Sequence, residues 1–155
     1  IKGIGTAKAL ILAAAFELGR RHGVSNLLQK EKITTSRDIA TLFHARLGNL
    51  PHEEFWLVLL NRSNTVIEMV KISQGGIAGT VADIRIMLKE AIEKLASSII
   101  LCHNHPSGNL NPSEQDITLT RKIKEAALLI DISLLDHIIV SNSTNYFSFA
   151  DEGLV

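Results

Sequence analysis

The chain has 155 residues, of which 46% are hydrophobic, so it is long enough for one domain with a real core, either alone or with an appendage. Its 16 basic and 16 acidic residues balance, but residues 1–50 hold eight basic and three acidic ones while residues 51–155 hold eight and thirteen, which indicates different partners for the two parts. The single cysteine excludes an internal disulfide, and the lack of a signal peptide or long apolar run predicts a cytoplasmic protein without a membrane segment. Because Ile1 is not an initiator methionine, we expect the chain to come from a longer protein.

Residues 3–22 predict a Gly-x-Gly turn, an N-cap at Thr6 and an alanine-rich helix that ends in basic residues before Gly23. The backbone amides of such a turn can bind a phosphate, so this stretch is either a nucleic-acid contact or only the capped start of a helix. A second helix, capped by Ser36, is predicted from apolar residues at helical spacing, namely Ile39, Leu42, Phe43 and Leu47. We therefore predict a helical N-terminal segment over residues 1–50 and a larger domain over residues 51–155.

The larger domain begins with a predicted hairpin. Residues 55–60 are apolar without interruption, which is typical of a central strand covered on both faces, and residues 61–64 form a turn into a second strand over 65–72. Two carboxylates, Glu53 and Glu54, stand just before the first strand, and either one could serve as a general base or be a solvated acid. Side-chain alternation places them on opposite faces of the sheet.

A glycine-containing connection over residues 75–79 leads into a predicted helix over residues 83–96, which Asp83 can cap. Its inward positions are predicted to be Ile84, Met87, Leu88, Ala91, Ile92 and Leu95. A buried strand follows at residues 99–102, and then a helix over 114–130 with Ile117, Leu119, Ile123, Ala126 and Leu129 inward. This order of strands and helices predicts an α/β fold.

The strand at residues 99–102 runs into two histidines. If the extended backbone continues, His103 and His105 point to the same face, where both imidazoles can reach one ion. Ser113 is a good N-cap for the next helix, and Asp116 falls at its N3 position, so this pair by itself is typical of a capping arrangement. Beside two histidines it also offers a carboxylate, and two nitrogens with one oxygen are the ligand set of a catalytic zinc site.

The last predicted strands cover residues 132–140 and 146–149, with Asp136 and His137 inside the first. These two residues have two interpretations. They are either a satisfied hydrogen-bonding pair or a group that orients a metal ligand from behind.

The stretch HNHPSGNLNPSEQD at residues 103–116 resembles the JAMM motif of the MPN/JAB metalloprotease superfamily, and with the later LLDHIIV it is most similar to the RadC-like branch. The resemblance spans about residues 50–155 and implies an MPN/JAB-like, cytidine-deaminase-like mixed sheet flanked by helices. It implies one zinc ion on His103, His105 and Asp116, Ser113 as the partner of the oxyanion, and Glu53 as the general base. Residues 83–86 depart from the pattern of many RadC-like proteins. This chain has Asp-Ile-Arg-Ile there, whereas those proteins have His-Pro-Arg-Glu.

The function expected from this resemblance is that of a zinc-dependent hydrolase, a metallopeptidase or isopeptidase acting on a peptide or isopeptide bond. The family name also records an association with DNA repair, and Gly3-Ile4-Gly5 resembles half of a helix-hairpin-helix element that RadC-like proteins carry. One alternative is therefore a DNA-associated accessory protein that binds nucleic acid through residues 1–50. Another alternative is a scaffold that catalyses no reaction, but the presence of all five motif residues argues against it. The sequence predicts neither the substrate nor the oligomeric state.

Overall fold

A computed structural model describes residues 5–29, 32–75 and 82–155. Within these ranges, four helices flank one five-stranded mixed sheet with the strand order β2-β1-β3-β4-β5. The elements are α1 (Thr6–Gln29), α2 (Ser36–Leu47), β1 (Glu54–Leu60), β2 (Val66–Gln74), α3 (Ile84–Glu93), β3 (Ser98–Asn104), α4 (Glu114–Leu128), β4 (Ser133–Val140) and β5 (Tyr146–Ser148). This confirms the predicted α/β class with a mixed sheet flanked by helices.

The predicted hairpin of β1 and β2 is confirmed, and every residue of β1 is buried. Its turn is held by the Asn61 side chain, whose Oδ1 accepts hydrogen bonds from the backbone N–H groups of Ser63 at 2.9 Å and Thr65 at 3.0 Å. Asn64 adopts a φ of +58°, a left-handed conformation that asparagine tolerates better than most residues. The turn therefore has the chemistry that its sequence indicated.

The sheet has an apolar core on each face. On one face α2 packs against alternate residues of the central strands, and on the other α3 and α4 do the same. The first core contains Trp56, Val58, Ile100, Cys102, Ile138 and Val140, together with the buried residues of α2. The second contains Phe55, Leu57, Ile99 and Leu101, with Met87 and Ala91 from α3 and Ile123 and Ala127 from α4.

Helix α2, which the sequence analysis placed in the N-terminal segment, thus contributes to the core of the sheet. Helix α1 contacts α2. The predicted domain boundary at residue 50 stays a prediction. No described helix has the length and apolar content that crossing a bilayer requires.

The register of β1 against β3 is fixed by a polar clamp. Phe55 lies opposite His103, and the buried Asn104 side chain bridges to the start of β1. Its Oδ1 accepts from the Glu54 N–H at 2.8 Å, and its Nδ2 donates to the His52 carbonyl at 2.9 Å. A slip of one residue would leave these buried groups unpaired, so the clamp holds the start of β1 beside the end of β3.

Strands β3 and β4 are parallel and are connected through α4. Cys102 pairs with Ile138 and His103 with Ile139, and beyond the strand the His105 N–H donates to the Val140 carbonyl at 2.9 Å. Both histidines therefore continue an extended backbone, as the sequence predicted. The start of α4 reaches the same end of the sheet.

Some local predictions were wrong. Helix α1 continues past Gly23 to Gln29, because one glycine costs a helix only about 1 kcal/mol relative to alanine and keeps its N–H donor. The N-cap of α2 is Thr35 instead of Ser36, since Asp38 sits three residues after Thr35 and completes a capping box with it. The expected Gly-x-Gly turn and glycine connection fall largely on residues 1–4 and 76–81, outside the described residues.

Four residues predicted to face inward are exposed instead. Helix α3 ends at Glu93, and Leu95 takes a left-handed φ of +52° to turn the chain toward β3, so Leu95 is 85% exposed and Ile92 is exposed as well. Leu129 follows the end of α4 and is also exposed. Leu95 and Leu129 lie beyond the last residues of their helices, whereas Ile92 and Ile117 lie within α3 and α4 on the exposed sides of these helices.

Candidate metal centre

Three potential ligands converge where β3 ends and α4 begins. The Nε2 atom of His103 lies 2.9 Å from Nε2 of His105 and 3.3 Å from Oδ1 of Asp116. The ligand atoms of these residues all lie within 4.8 Å of one another, so one ion can contact all of them. Sequence reasoning predicted this set, and the structure brings the three residues together.

Asp116 has two roles at once. Its Oδ2 accepts from the Ser113 N–H at 2.8 Å and from the Ser113 hydroxyl at 2.6 Å, and the Ser113 Oγ accepts from the Asp116 N–H at 3.2 Å. This is a complete capping box for α4. The other oxygen, Oδ1, is directed toward His103. The capping and metal-ligand interpretations are therefore compatible, because each uses a different oxygen of the same carboxylate.

The remaining ring nitrogen of each histidine is occupied by the protein. Nδ1 of His105 lies 2.6 Å from the Asn109 carbonyl oxygen, which can only accept, so the hydrogen of His105 sits on Nδ1. A neutral His105 then presents the lone pair of Nε2 to the cluster. Nδ1 of His103 contacts Nε2 of His137 at 2.8 Å. Ligating histidines in metal sites usually have such partners on the nitrogen away from the ion.

Burial favours the neutral form of these rings. Desolvation of the buried His103 has the largest effect on its pKa and lowers it. The attraction of Asp116 raises this pKa and His105 lowers it further, and the resulting pKa of His103 is about 4. Desolvation also holds the pKa of His137 well below its ordinary value. Both imidazoles are therefore neutral at pH 7, which is the form that metal coordination needs.

Asp136 and His137 do not form a side-chain pair, because adjacent strand residues point to opposite faces. Asp136 accepts from the Ser148 hydroxyl at 2.7 Å and the Ala150 N–H at 3.0 Å, on the face of the sheet away from the histidines. Burial raises the pKa of its carboxyl. His137 instead contacts Nδ1 of His103 and so lies behind a candidate metal ligand, whereas Asp136 is a satisfied structural group.

The two glutamates also separate as alternation predicted. Glu53 lines a cavity of about 720 Å³ together with Phe55, His103, His105, Ser113 and Asp116. Glu54 is buried on the other face, where Oε2 accepts from Trp56 Nε1 at 2.9 Å and Oε1 pairs with Lys71 Nζ at 3.3 Å. Burial raises the pKa of Glu54, but the hydrogen bonds from Trp56, His52 and Lys71 outweigh it and lower that pKa. Glu54 is thus engaged away from the cavity that Glu53 lines.

The site lies in a stretch of sequence that matches a known protein family. A model of the family described as the RadC-like JAB domain matches residues 33–154. The chain belongs to the RadC-like JAB domain family. This confirms the resemblance drawn from the histidine motif, although the match also includes α2.

Relatives of this RadC-like JAB domain cover nearly its whole length. It is 51% identical over 153 residues to a UPF0758 protein of Flavobacterium johnsoniae, covering 99% of this chain and 66% of the relative. It is 47% identical over 154 residues to a UPF0758 protein of Porphyromonas gingivalis, covering 99% and 68%. For a UPF0758 protein of Rubrobacter xylanophilus the identity is 42% over 155 residues, covering 100% and 67%. The chain thus spans about two thirds of the length of these curated relatives.

Sequence reasoning missed two residues of this JAB-domain site. Asn109 fixes the hydrogen of His105 through its backbone carbonyl, which leaves no signal in the side-chain type. Thr120 lies behind His137 and one helical turn after Asp116, a spacing that puts both residues on the same side of α4. The spacing of four residues between Asp116 and Thr120 could therefore have indicated from the sequence that Thr120 lies near the site. The divergent residues 83–86 lie at the start of α3, where Asp83 accepts from the Arg85 N–H and caps the helix as predicted.

Proposed function

We propose that this RadC-like JAB domain is a zinc-dependent hydrolase that cleaves peptide or isopeptide bonds. The observation that carries the proposal is the convergence of His103, His105 and Asp116 in a cavity that Glu53 also lines. Family membership supports hydrolysis as the type of reaction.

The donor set fits zinc. Two imidazole nitrogens and one carboxylate oxygen are the three protein ligands of catalytic zinc sites, which leave a further position for water. The fit is chemical as well as geometric. The ring hydrogen of His105 is engaged by Asn109, so the lone pair of its Nε2 faces Nε2 of His103 at 2.9 Å beside a carboxylate. A cation held by His103, His105 and Asp116 would accept this lone pair and offset the negative charge of the carboxylate.

When bound, zinc would supply a Lewis acid that lowers the pKa of a coordinated water far below its bulk value, toward roughly 7. The protein supplies the proton transfers. In our proposal the carboxylate of Glu53 accepts a proton from the attacking water and delivers it to the leaving amine. Glu53 can do this without loss of the metal, because it is not one of the three ligands.

Ser113 is proposed to donate a hydrogen bond to the oxyanion that develops on the substrate carbonyl. Its hydroxyl hydrogen is directed to Asp116 Oδ2 at 2.6 Å, so this role requires the hydroxyl to rotate away from Asp116 during the reaction. Its backbone N–H still holds Oδ2 at 2.8 Å, which keeps the ligand in place. The lining of the cavity also includes Asn109, Asn111 and Gln115, whose polar groups suit the amide groups of a peptide.

The test combines elemental analysis of the purified protein with cleavage of a peptide library. We expect one zinc ion per chain, and the His103→Ala, His105→Ala double variant should lose it. Cleavage should disappear on metal removal and return when zinc is restored. Full retention of zinc in the double variant would contradict the ligand assignment, and iron, cobalt or nickel in place of zinc would contradict the metal assignment. A zinc-loaded protein that cleaves no member of the library would contradict hydrolysis.

A further inference from the structure

A continuous line of hydrogen bonds runs behind the metal ligands. It starts at Nδ1 of His103, which lies 2.8 Å from Nε2 of His137. It continues from Nδ1 of His137 to the hydroxyl of Thr120 at 2.6 Å, and from that hydroxyl to the backbone carbonyl of Asp116 at 2.6 Å. Four groups on β3, β4 and α4 are thus connected in series, and the last belongs to another of the proposed ligands.

The direction of these hydrogen bonds follows from the last one. A carbonyl oxygen only accepts, so the single hydrogen of the Thr120 hydroxyl is directed to Asp116. Thr120 must then accept from His137, which places the hydrogen of His137 on Nδ1. A neutral His137 has no second hydrogen, so its Nε2 accepts from Nδ1 of His103. This places the hydrogen of His103 on Nδ1 and leaves the lone pair of its Nε2 facing the ligand cluster.

The surroundings prevent water from replacing these partners. His137 has no exposed surface, Thr120 is 2% exposed and His103 is 4% exposed. The planes of both rings are also fixed, because Phe55 stacks on His103 with centroids 5.5 Å apart and Phe149 stacks on His137 at 4.7 Å. Each ring therefore has one orientation and one set of partners.

We infer that His137 and Thr120 are positioning residues that hold His103 in the tautomer whose Nε2 can bind a metal. The inference rests on the proposed metal site, but it does not depend on hydrolysis. It assigns a role to a threonine that touches neither the ion nor the substrate. Removal of the Thr120 acceptor would favour a hydrogen on Nε2 of His137, which would then donate to His103 and move the hydrogen of His103 onto the metal-binding nitrogen.

The test uses Thr120→Val, which keeps the shape but removes the hydroxyl, and Thr120→Ser, which keeps the hydroxyl, in the full chain. Site-assigned ¹⁵N resonances of the histidine rings report the tautomers in the metal-free protein. Competition with a chromophoric chelator reports the affinity for zinc. Loss of such an outer hydrogen-bond partner typically weakens metal binding by about 10- to 100-fold.

In the wild type and in Thr120→Ser we expect the hydrogen of His137 on Nδ1. In Thr120→Val we expect it on Nε2, together with a zinc affinity lower by about 10- to 100-fold. Wild-type His137 with its hydrogen on Nε2, or Thr120→Val with unchanged tautomers and affinity, would overturn the inference. A wild type that bound no zinc would contradict the proposed function alone, since the tautomers of the metal-free protein are measured independently.

Discussion

Replacement of the two adjacent glutamates by glutamine should have opposite consequences, although the substitution is the same. Glu54→Gln removes a buried charge that accepts from Trp56 and pairs with Lys71. A hydrogen bond to a charged group contributes roughly 1.5–3 kcal/mol to stability, and a hydrogen bond between neutral groups contributes about 1 kcal/mol. Exchanging the carboxylate for an amide weakens the bond from Trp56 and therefore costs about 1 kcal/mol of stability. Lys71 is 42% exposed, so its ion pair adds at most about 1 kcal/mol.

We therefore expect Glu54→Gln to lower the free energy of unfolding by about 1–2 kcal/mol. For a chain of this size that corresponds to a drop in Tm of about 2–8 °C. Its zinc content and turnover should stay close to those of the wild type, because Glu54 faces away from the cavity. Glu53→Gln should keep its zinc and lose turnover by ~10²–10⁴-fold, the effect of losing a general acid–base.

Urea unfolding, elemental analysis and peptide cleavage measure the three properties. Lys71→Met is the matched control, since it removes the ion pair and an exposed hydrogen bond from Lys71 to Gln74 but keeps the buried bond between Trp56 and Glu54, and it should cost less than Glu54→Gln. The reasoning fails if Glu54→Gln is the inactive variant with its metal intact, because the faces assigned to the two glutamates would then be exchanged.

Three further outcomes are expected. Ser113→Gly should cost α4 only a few tenths of a kcal/mol, against about 1 for Ser113→Ala, yet both should reduce cleavage; unchanged turnover in both would limit Ser113 to capping. In the metal-free protein the pKa of His103 is about 4 against 6.5 when unfolded, so below pH 6.5 the unfolded state binds more protons and stability falls, by about 2 kcal/mol between pH 7.5 and 5. The free energy of unfolding, measured with urea across this pH range, should fall less in His103→Gln than in the wild type. An equal pH dependence in the two proteins would refute the assignment of this effect to His103. Asn104→Ala leaves the buried Glu54 N–H and the part-buried His52 carbonyl unpaired and should lower the free energy of unfolding by about 1–3 kcal/mol, whereas a loss under 1 would show that the clamp is not needed.

Much of the site could be predicted from local sequence because its parts obey local rules. The apolar run of β1 and the period of two through His103 and His105 fixed which side chains share a face. The Ser-x-x-Asp spacing fixed the capping box of α4. These features depend on neighbours within a few residues, which sequence periodicity describes well.

The line of hydrogen bonds behind His103 could not be predicted in the same way. It depends on the distance between α4 and the pair of strands beneath it, which only tertiary packing sets. Even so, alternation along β4 already excluded a side-chain pair between Asp136 and His137, since adjacent strand residues face opposite sides. The errors at Gly23 and Leu95 have a different origin, because one glycine costs too little to end α1 and because α3 ends where the chain turns toward β3.

Asp116 is connected to His103 in two ways, once directly and once through a series of hydrogen bonds. Its side chain faces Nε2 of His103, and its backbone carbonyl receives the hydrogen-bond series that begins at Nδ1 of the same ring. The three candidate ligands are therefore held by the protein's own hydrogen bonds, in contrast to those of a zinc finger, which folds only around its ion. We consequently expect loading of the proposed metal to be separable from folding. A chelator should withdraw the ion under native conditions without unfolding the chain, and changes in the sequence of the 106–112 loop should leave the contact between α4 and β3 in place.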